Sequence, residues 1–511
     1  MSKLTSVPRW LIAVIVSILP TLTTFLLTRF YLHADLFNFV PVYWNDPTWY
    51  WHQTLSFSRV GFASGYYLVN EVPARLPFFK FSSAGPLFPV IYGAIGHFTG
   101  WFWTTGIVFN ILLLAVATLM FVYLARLDKT QILLTGAALL TIGPILLFLP
   151  SNSQESFHQA GTLILAGLFY RLWMGKISRR LWWTGLLFLL FISLIRFSWV
   201  ILLPVYFLID DKPISIRRMS IAIVAGGLSA VIVYLLVSFT SSPGHNVIIV
   251  RVGTFGISPL SALQNLSKIA IDNLNTSFLG TTDLQHLNID HVQGIQIAIL
   301  GISALVLAFP AREFRSRLTT KPLEMHFHLY NLGLIIILSV VMYISDGFYR
   351  IFGLHILLSL LLLIAFRRLA LVTVVVIISI LMIGTFGIRY RDTILPNLVQ
   401  DISAIEASRQ QLANLIPYEP DADPWCNTLL LPGKLRDNRI LYVPAGIGIS
   451  FFGGVPAPTA DNPIRSHYLL LDDSSFQYLS TGYFHVQQLA SMRYGVLYRN
   501  TDVVCPTNPP Q

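Results

Sequence analysis

Charge is scarce in this chain. Of its 511 residues only 11% are Asp, Glu, Lys or Arg, against roughly 25% in an average soluble domain. No P-loop and no dinucleotide-binding fingerprint occurs, so nothing in the sequence reads as a nucleotide site. There is no HExxH-type metal spacing, no internal repeat and no low-complexity tract. Cysteine is nearly missing too, at two residues, Cys426 and Cys505. Acidic residues are outnumbered, 24 against 34 basic, for a net charge of +10.

What replaces charge is hydrophobicity, at 54% of residues. Apolar runs recur from residue 10 to residue 390, the pattern of a polytopic membrane protein, since one crossing helix needs about 20 mostly apolar residues. The expected spans are 10–32, 104–125, 130–150, 157–175, 181–209, 219–240, 293–310, 326–345, 351–366 and 369–388. The piece 181–209 is flanked by Lys176, Arg179 and Arg180 on one side and by Lys212, Arg217 and Arg218 on the other. Both flanks belong inside by the positive-inside rule, and a hairpin of two short helices turning near Arg196 satisfies that. The result is eleven spans, with the N-terminus inside and the C-terminus outside. The remaining inner segments also hold the denser basic clusters, so the positive charge reflects orientation and implies no nucleic-acid partner. The first apolar run is longer than a signal-peptide core and no small-x-small cleavage site follows it, so it reads as a retained anchor.

Three outer segments are long: 33–103, 241–292 and the tail 391–511. The tail opens on a helix at "DISAIEASRQQLANLI", then "NTLLLP", "RILYVPAG", "SHYLLLD" and "YGVLYRN" read as strands, with "SSFQYLSTGYFHVQQLASM" as helix between them. This predicts a small extracytoplasmic α/β domain. Cys426 and Cys505 both lie in it and are expected to pair in an oxidising compartment.

The stretch "VYWNDPTWYWHQ", residues 42–53, sets one carboxylate, Asp46, among Tyr43, Trp44, Trp49, Tyr50 and Trp51. Asp46 followed by Pro47 is a helix-start signal, and the rings fit an interfacial aromatic belt. The elaborate loop beyond, with a second acid at Glu71 and then the amphipathic "GPLFPVIYG", suggests an enclosed site. One N-terminal span, a long outer loop with an early acid and an interfacial helix resembles the GT-C superfamily of integral-membrane glycosyltransferases, of the protein O-mannosyltransferase and aminoarabinose transferase type. "LPSNSQESFHQAG" resembles that family's short acid-bearing loop, with Glu155. "YISDGFYRIFGLHILLSLLLLI" resembles its late arginine-bearing helix entry, with Arg350.

The resemblance implies an α-helical GT-C-like membrane module over 1–390 and an extracytoplasmic α/β domain over 391–511, in a bacterial plasma membrane. It implies transfer of a sugar from a polyprenyl-phosphate donor to an extracytoplasmic acceptor hydroxyl, with inversion. A carboxylate at the boundary serves as general base, and Asp46 is the first candidate. Cations take up the leaving phosphate's charge: Arg350 foremost, then Arg75, Lys80, Arg59 and Arg196, with His158 one turn beyond Glu155. Trp44, Trp49, Tyr50 and Trp51 can stack on a sugar face. Each assignment has a plainer counterpart. Glu71 is either a second acid or an exposed loop residue; Glu155 either orients Asp46 or a metal, or caps a helix. Arg350 either meets phosphate or pairs with Asp346. Asp46, Glu155 and His52 could hold a divalent ion, yet no fixed spacing requires one, so no cofactor is called for. Sugar and acceptor are not written in the sequence. A polyprenyl-diphosphate polymerase or ligase, and a non-catalytic envelope-assembly component, share most of these features; a secondary transporter would place its charges at mid-membrane.

Overall fold

The computed structural model describes residues 7–41, 45–63, 67–69, 71, 85–174, 178–209, 215–241, 259–274, 327–335, 337, 348–381, 383–432, 439–452, 463–480, 485–492 and 495–505. They fall into two compact units. The first holds 1–36, 107–234 and 247–396; the second holds 37–106, 235–246 and 397–511.

Along the chain, α1 (Arg9–Leu26) runs on through a π turn, Leu27–Tyr31. Helix α2 is Asn45–Val60 and α3 is Leu87–Thr99. Helix α4 (Trp103–Leu124) is followed by α5 (Lys129–Thr141). Asp128 and Gln131 cap the start of α5 reciprocally, each side chain taking the other's backbone N–H at 2.9 Å, which satisfies two of the orphan donors of a helix start. The run 130–150, expected as one span, breaks at Ile142: Gly143 and Pro144 start a new short helix, α6 (Gly143–Phe148). Proline lacks the N–H needed to continue α5 but fits a first turn. Then come α7 (Gln154–Met174) and α8 (Arg179–Ile195).

At Arg196 the chain is extended, with φ −138° and ψ 111°, and it returns as a 3-10 segment, Phe197–Leu202, and α9 (Leu203–Leu208). The Tyr206 hydroxyl donates to the Trp182 carbonyl at 2.6 Å, so the two limbs of 181–209 lie against each other. Gly185 permits this, because a Cβ there would overlap the Tyr206 hydroxyl. Helix α10 is Ile216–Thr240 and α11 is Pro259–Leu274. Residues 327–335 are helical, followed by α12 (Phe348–Ala365), α13 (Leu369–Leu381) and α14 (Ile383–Ile394).

Three helical segments are long and apolar enough to cross a membrane: Arg9–Tyr31, Trp103–Leu124 and Ile216–Thr240. The expected count of eleven is thereby reduced among the described residues, because the other apolar stretches described are short or carry buried polar groups. The expected span 293–310 lies outside the described residues. Within the first unit, α7 packs against α12 and α8, and α1 against α5.

The second unit is built on a six-stranded mixed sheet. Its strands are β2 (Tyr67–Val69), β4 (Thr428–Pro432), β5 (Gly448–Phe452), β6 (Tyr468–Leu471), β7 (Val486–Met492) and β8 (Gly495–Asn500), in the order β2-β5-β4-β6-β8-β7. The first four in that order are parallel, and β8 runs antiparallel to both its neighbours, β6 and β7. A separate two-residue pair joins β1 (Val40–Pro41) to β3 (Leu398–Val399). Parallel strands are covered on both faces, and "TLLLP" and "YLLL" are continuous apolar runs for that reason. One face packs Leu429, Leu431 and Leu470 on Trp49, Leu412 and Ile416, so α2 and α15 (Ile402–Leu415) cover it. The other sets Leu430, Leu469 and Leu471 against Leu479 of α16 (Asp473–Ser480).

Residues 37–103, from the outer segment 33–103, supply strands β1 and β2 and helices α2 and α3 to this second unit. Two expectations for the tail are corrected. "RILYVPAG" is a 3-10 turn at Arg439–Tyr442, and the neighbouring strand is "GISFF". "VQQLASM" is strand β7, the exposed edge of the sheet, in place of helix. Cys426 and Cys505 form a disulfide with their Cα atoms 5.8 Å apart. It ties the entry of β4 to the chain just past β8.

Candidate functional site

In the first unit, the loop between α6 and α7 is held from several sides. Asn110 of α4 donates to the carbonyls of Leu149 and Ser151 at 3.1 and 2.7 Å, and Ser156 donates to the Phe148 carbonyl at 2.7 Å. This fixes the start of α7, whose first residues Gln154, Glu155, Ser156, His158 and Gln159 are all buried. Glu155 and His158 are three apart, so they share a face of the helix. The Arg196 guanidinium, delivered by the break after α8, donates through Nη2 to Glu155 Oε1 at 2.5 Å; the two side chains are only 10% and 1% exposed. A charge pair desolvated this far is paired of necessity, since either charge alone would be costly.

His158 is next in the same cluster. The Trp199 indole N–H, which can only donate, reaches His158 Nδ1 at 3.1 Å. Nδ1 must therefore accept, and the neutral ring carries its proton on Nε2. The Trp199 ring lies 4.8 Å from the His355 ring, centroid to centroid. Asn331 donates through Nδ2 to the His355 carbonyl at 3.0 Å and to Ser359 Oγ at 2.9 Å. A carbonyl only accepts, so the Asn331 amide orientation is fixed and its Oδ1 receives the His355 Nδ1–H at 2.7 Å. Trp199, Asn331, His355 and Ser359 carry no recognisable sequence signal; only the return of the chain at Arg196 and the packing of α12 on α7 bring them to Glu155.

In the second unit, Asp46 lies in the first turn of α2, half-buried, where a carboxylate complements the positive end of the helix. The rings beside it are occupied by protein. Trp49 is in the core under the sheet. Tyr50 meets Phe88 edge-on at 5.1 Å. Trp51 stacks on Trp103 at 4.0 Å with 6° between planes, and the Arg409 guanidinium sits 4.6 Å from its centroid. These three rings hold α2 to its neighbours. His52 is fully buried, with Nε2 donating to the Ile447 carbonyl at 2.8 Å, and burial foremost pulls its pKa down to about 4. Of its two nitrogens a metal could use only Nδ1. Among the described residues, no group of three or more His, Cys, Asp or Glu is placed to hold an ion.

Glu71 is buried with a positive φ of 61°, so it is not the exposed loop residue that one reading made it. Its Oε2 accepts the N–H groups of Arg465 and Ser466 at 2.5 and 2.8 Å, and its Oε1 meets Ser466 Oγ at 2.6 Å. Glu71 thus acts as a clamp on the backbone entering β6. Burial, the largest influence, raises its pKa. Arg59 is exposed in the last turn of α2. Trp44, Arg75 and Lys80 lie outside the described residues, as does the side chain of Arg350, whose backbone is in the first turn of α12.

Of the expected site residues, Glu155, His158 and Arg196 are therefore brought together in one buried polar cluster, while Asp46 and Glu71 belong to the second unit. Comparison with protein-family models, with curated proteins and with solved structures finds no match.

Proposed function

We propose that this protein is a membrane glycosyltransferase that moves a sugar from a polyprenyl-phosphate donor to an acceptor hydroxyl outside the membrane, by inverting displacement. The observation that carries this reading is the buried Glu155–Arg196 pair with His158 one turn on, set among apolar helices. Ionisable groups in such surroundings are expensive and mark function by default. In this reading a carboxylate removes the acceptor proton, with Asp46 the first candidate, and basic side chains answer the leaving phosphate. The further crossings of an eleven-span module, an inside N-terminus, an extracytoplasmic tail and a bacterial plasma membrane belong to the same proposal.

The test is radiolabelled sugar transfer from a panel of polyprenyl-phosphate sugars by the purified full chain, with Asp46→Asn compared at equal folded yield. Loss of a general base lowers the rate by a factor on the order of 10²–10⁴, so transfer by wild type and its near disappearance in the variant is the expected result. Transfer from diphosphate-linked donors alone would assign the polymerase or ligase alternative. Absence of transfer from any donor, with both proteins folded, would favour an envelope-assembly role.

A further inference from the structure

Helix α11, "PLSALQNLSKIAIDNL", turns an apolar face outward. At helical spacing Leu260, Leu263, Leu266, Ala270 and Ile271 share one face, while Ser261, Gln264, Asn265 and Lys268 share the other. Leu260, Leu263 and Ile271 are nonetheless 67%, 62% and 57% exposed, and Leu266 and Ala270 are only half-buried. A helix of 16 residues is marginal in water by itself and owes its stability to whatever covers its apolar face. The three exposed aliphatic side chains therefore call for a cover.

We infer that α11 lies in the plane of a lipid bilayer, with Leu260, Leu263 and Ile271 among the acyl chains and Gln264 and Lys268 towards headgroups and water. Its length, about 24 Å at 1.5 Å per residue, falls short of a hydrocarbon core of about 30 Å, and its polar face bars it from crossing. Composition disfavours a protein partner. Helix α11 holds no aromatic residue and no arginine, the side chains that anchor protein interfaces. An aliphatic face backed by a polar one is what a lipid surface accepts. Such a surface is near along the chain. Among the described residues the helix before α11 is α10, long and apolar enough to cross a membrane, and it exposes Leu235, Leu236 and Phe239 in its last turns. The inference rests on α10 crossing a membrane and stands whether or not the protein transfers sugar.

The test uses the full chain in lipid nanodiscs, spin-labelled in turn at Leu260→Cys, Leu263→Cys, Gln264→Cys, Lys268→Cys and Ile271→Cys. Cys426 and Cys505 are bonded to each other and take no label. At each position two collision rates are read, one with oxygen, which partitions into lipid, and one with a water-soluble nickel chelate. Labels at 260, 263 and 271 should favour oxygen and sit about 5–10 Å into the headgroup–acyl boundary; those at 264 and 268 should favour nickel. The same preference at all five positions would overturn the inference, placing α11 wholly in water or wholly in hydrocarbon. Low access to both reagents at 260, 263 and 271 would overturn it in favour of a protein cover. Dipolar broadening that vanishes on dilution with unlabelled chain would then identify that cover as a second copy. In the unmodified protein, phospholipid carrying a diazirine near the top of its acyl chain should cross-link to α11. Cross-links confined to the crossing helices would overturn the inference even where the cysteine variants fail to fold.

Discussion

Buried ionisable residues in the second unit give opposite responses to pH. His52 is neutral when folded because burial, only partly offset by the Ile447 hydrogen bond, pulls its pKa down to about 4 from an ordinary 6.5. A depressed folded pKa means stability present above about 6.5 and lost as pH falls towards 4, amounting to about 3 kcal/mol over that window. His52→Gln can keep the donation to the Ile447 carbonyl without a titrating ring. Thermal unfolding between pH 7 and pH 4 should therefore decline more steeply for wild type than for this variant; parallel curves would show that His52 is not the group responsible. Glu71 runs the other way. Its folded pKa is raised, burial being the largest cause, so its contribution is complete below the ordinary carboxylate range and is lost as pH rises through the folded value. Glu71→Gln can offer its oxygen to the two N–H groups and its NH2 to Ser466, and should remove that loss. Glu71→Ala leaves both N–H groups without an acceptor and should lower stability by about 2–4 kcal/mol at neutral pH. A fully stable alanine variant would show that the clamp contributes nothing.

At the level of elements, the glycines of α10 separate packing from propensity. A Cβ at Gly226 would come within 2.7 Å of the Pro204 backbone nitrogen, whereas one at Gly227 would meet nothing within 4 Å. Gly226→Ala should push α10 from α9 and reduce stability by about 1–3 kcal/mol, as overpacking does. Gly227→Ala should be neutral or gain up to about 1 kcal/mol from helix propensity. Equal effects of the two in a denaturation series would show that α10 does not seat on Pro204. The same contrast explains what could be read from sequence. Unbroken apolar runs announced α1, α4 and α10, and the basic flanks of 181–209 announced the turn at Arg196, because length and charge are local quantities. The break at Gly143–Pro144 is equally local, but the apolar run around it hides the helix end. Strand β2, by contrast, owes its state to parallel pairing with β5, nearly 400 residues later in the chain, and no short pattern encodes that. Glu155, His158 and Arg196 could be singled out as unusual polar residues in apolar surroundings. His355, Asn331 and Trp199 could not, since an isolated polar residue in a helix says nothing about which ring will face it.

For the whole molecule, the disulfide bears on the side of the membrane on which the second unit folds. Cys426 and Cys505 are the chain's two cysteines, and they are bonded to each other across 79 residues. A bond closing a loop of that length stabilises the fold by about 4–5 kcal/mol, chiefly by restricting the unfolded chain, a large fraction of a typical 5–15 kcal/mol total. Thiols in a reducing cytosol would not keep it, so a unit that depends on it is expected in an oxidising compartment, and thiol labelling checks this. Protein denatured without reductant should accept no maleimide-polyethylene glycol, and after reduction it should gain two increments on a gel. Cys505→Ser should accept one increment without reduction and should unfold at lower denaturant concentration. Two reactive thiols in protein taken directly from cells would place the tail on the reducing side, and the extracytoplasmic acceptor would go with it. The expected zero followed by two would instead leave the whole sheet, with Asp46 and Glu71 in the same unit, on the face of the membrane where a water-borne acceptor arrives.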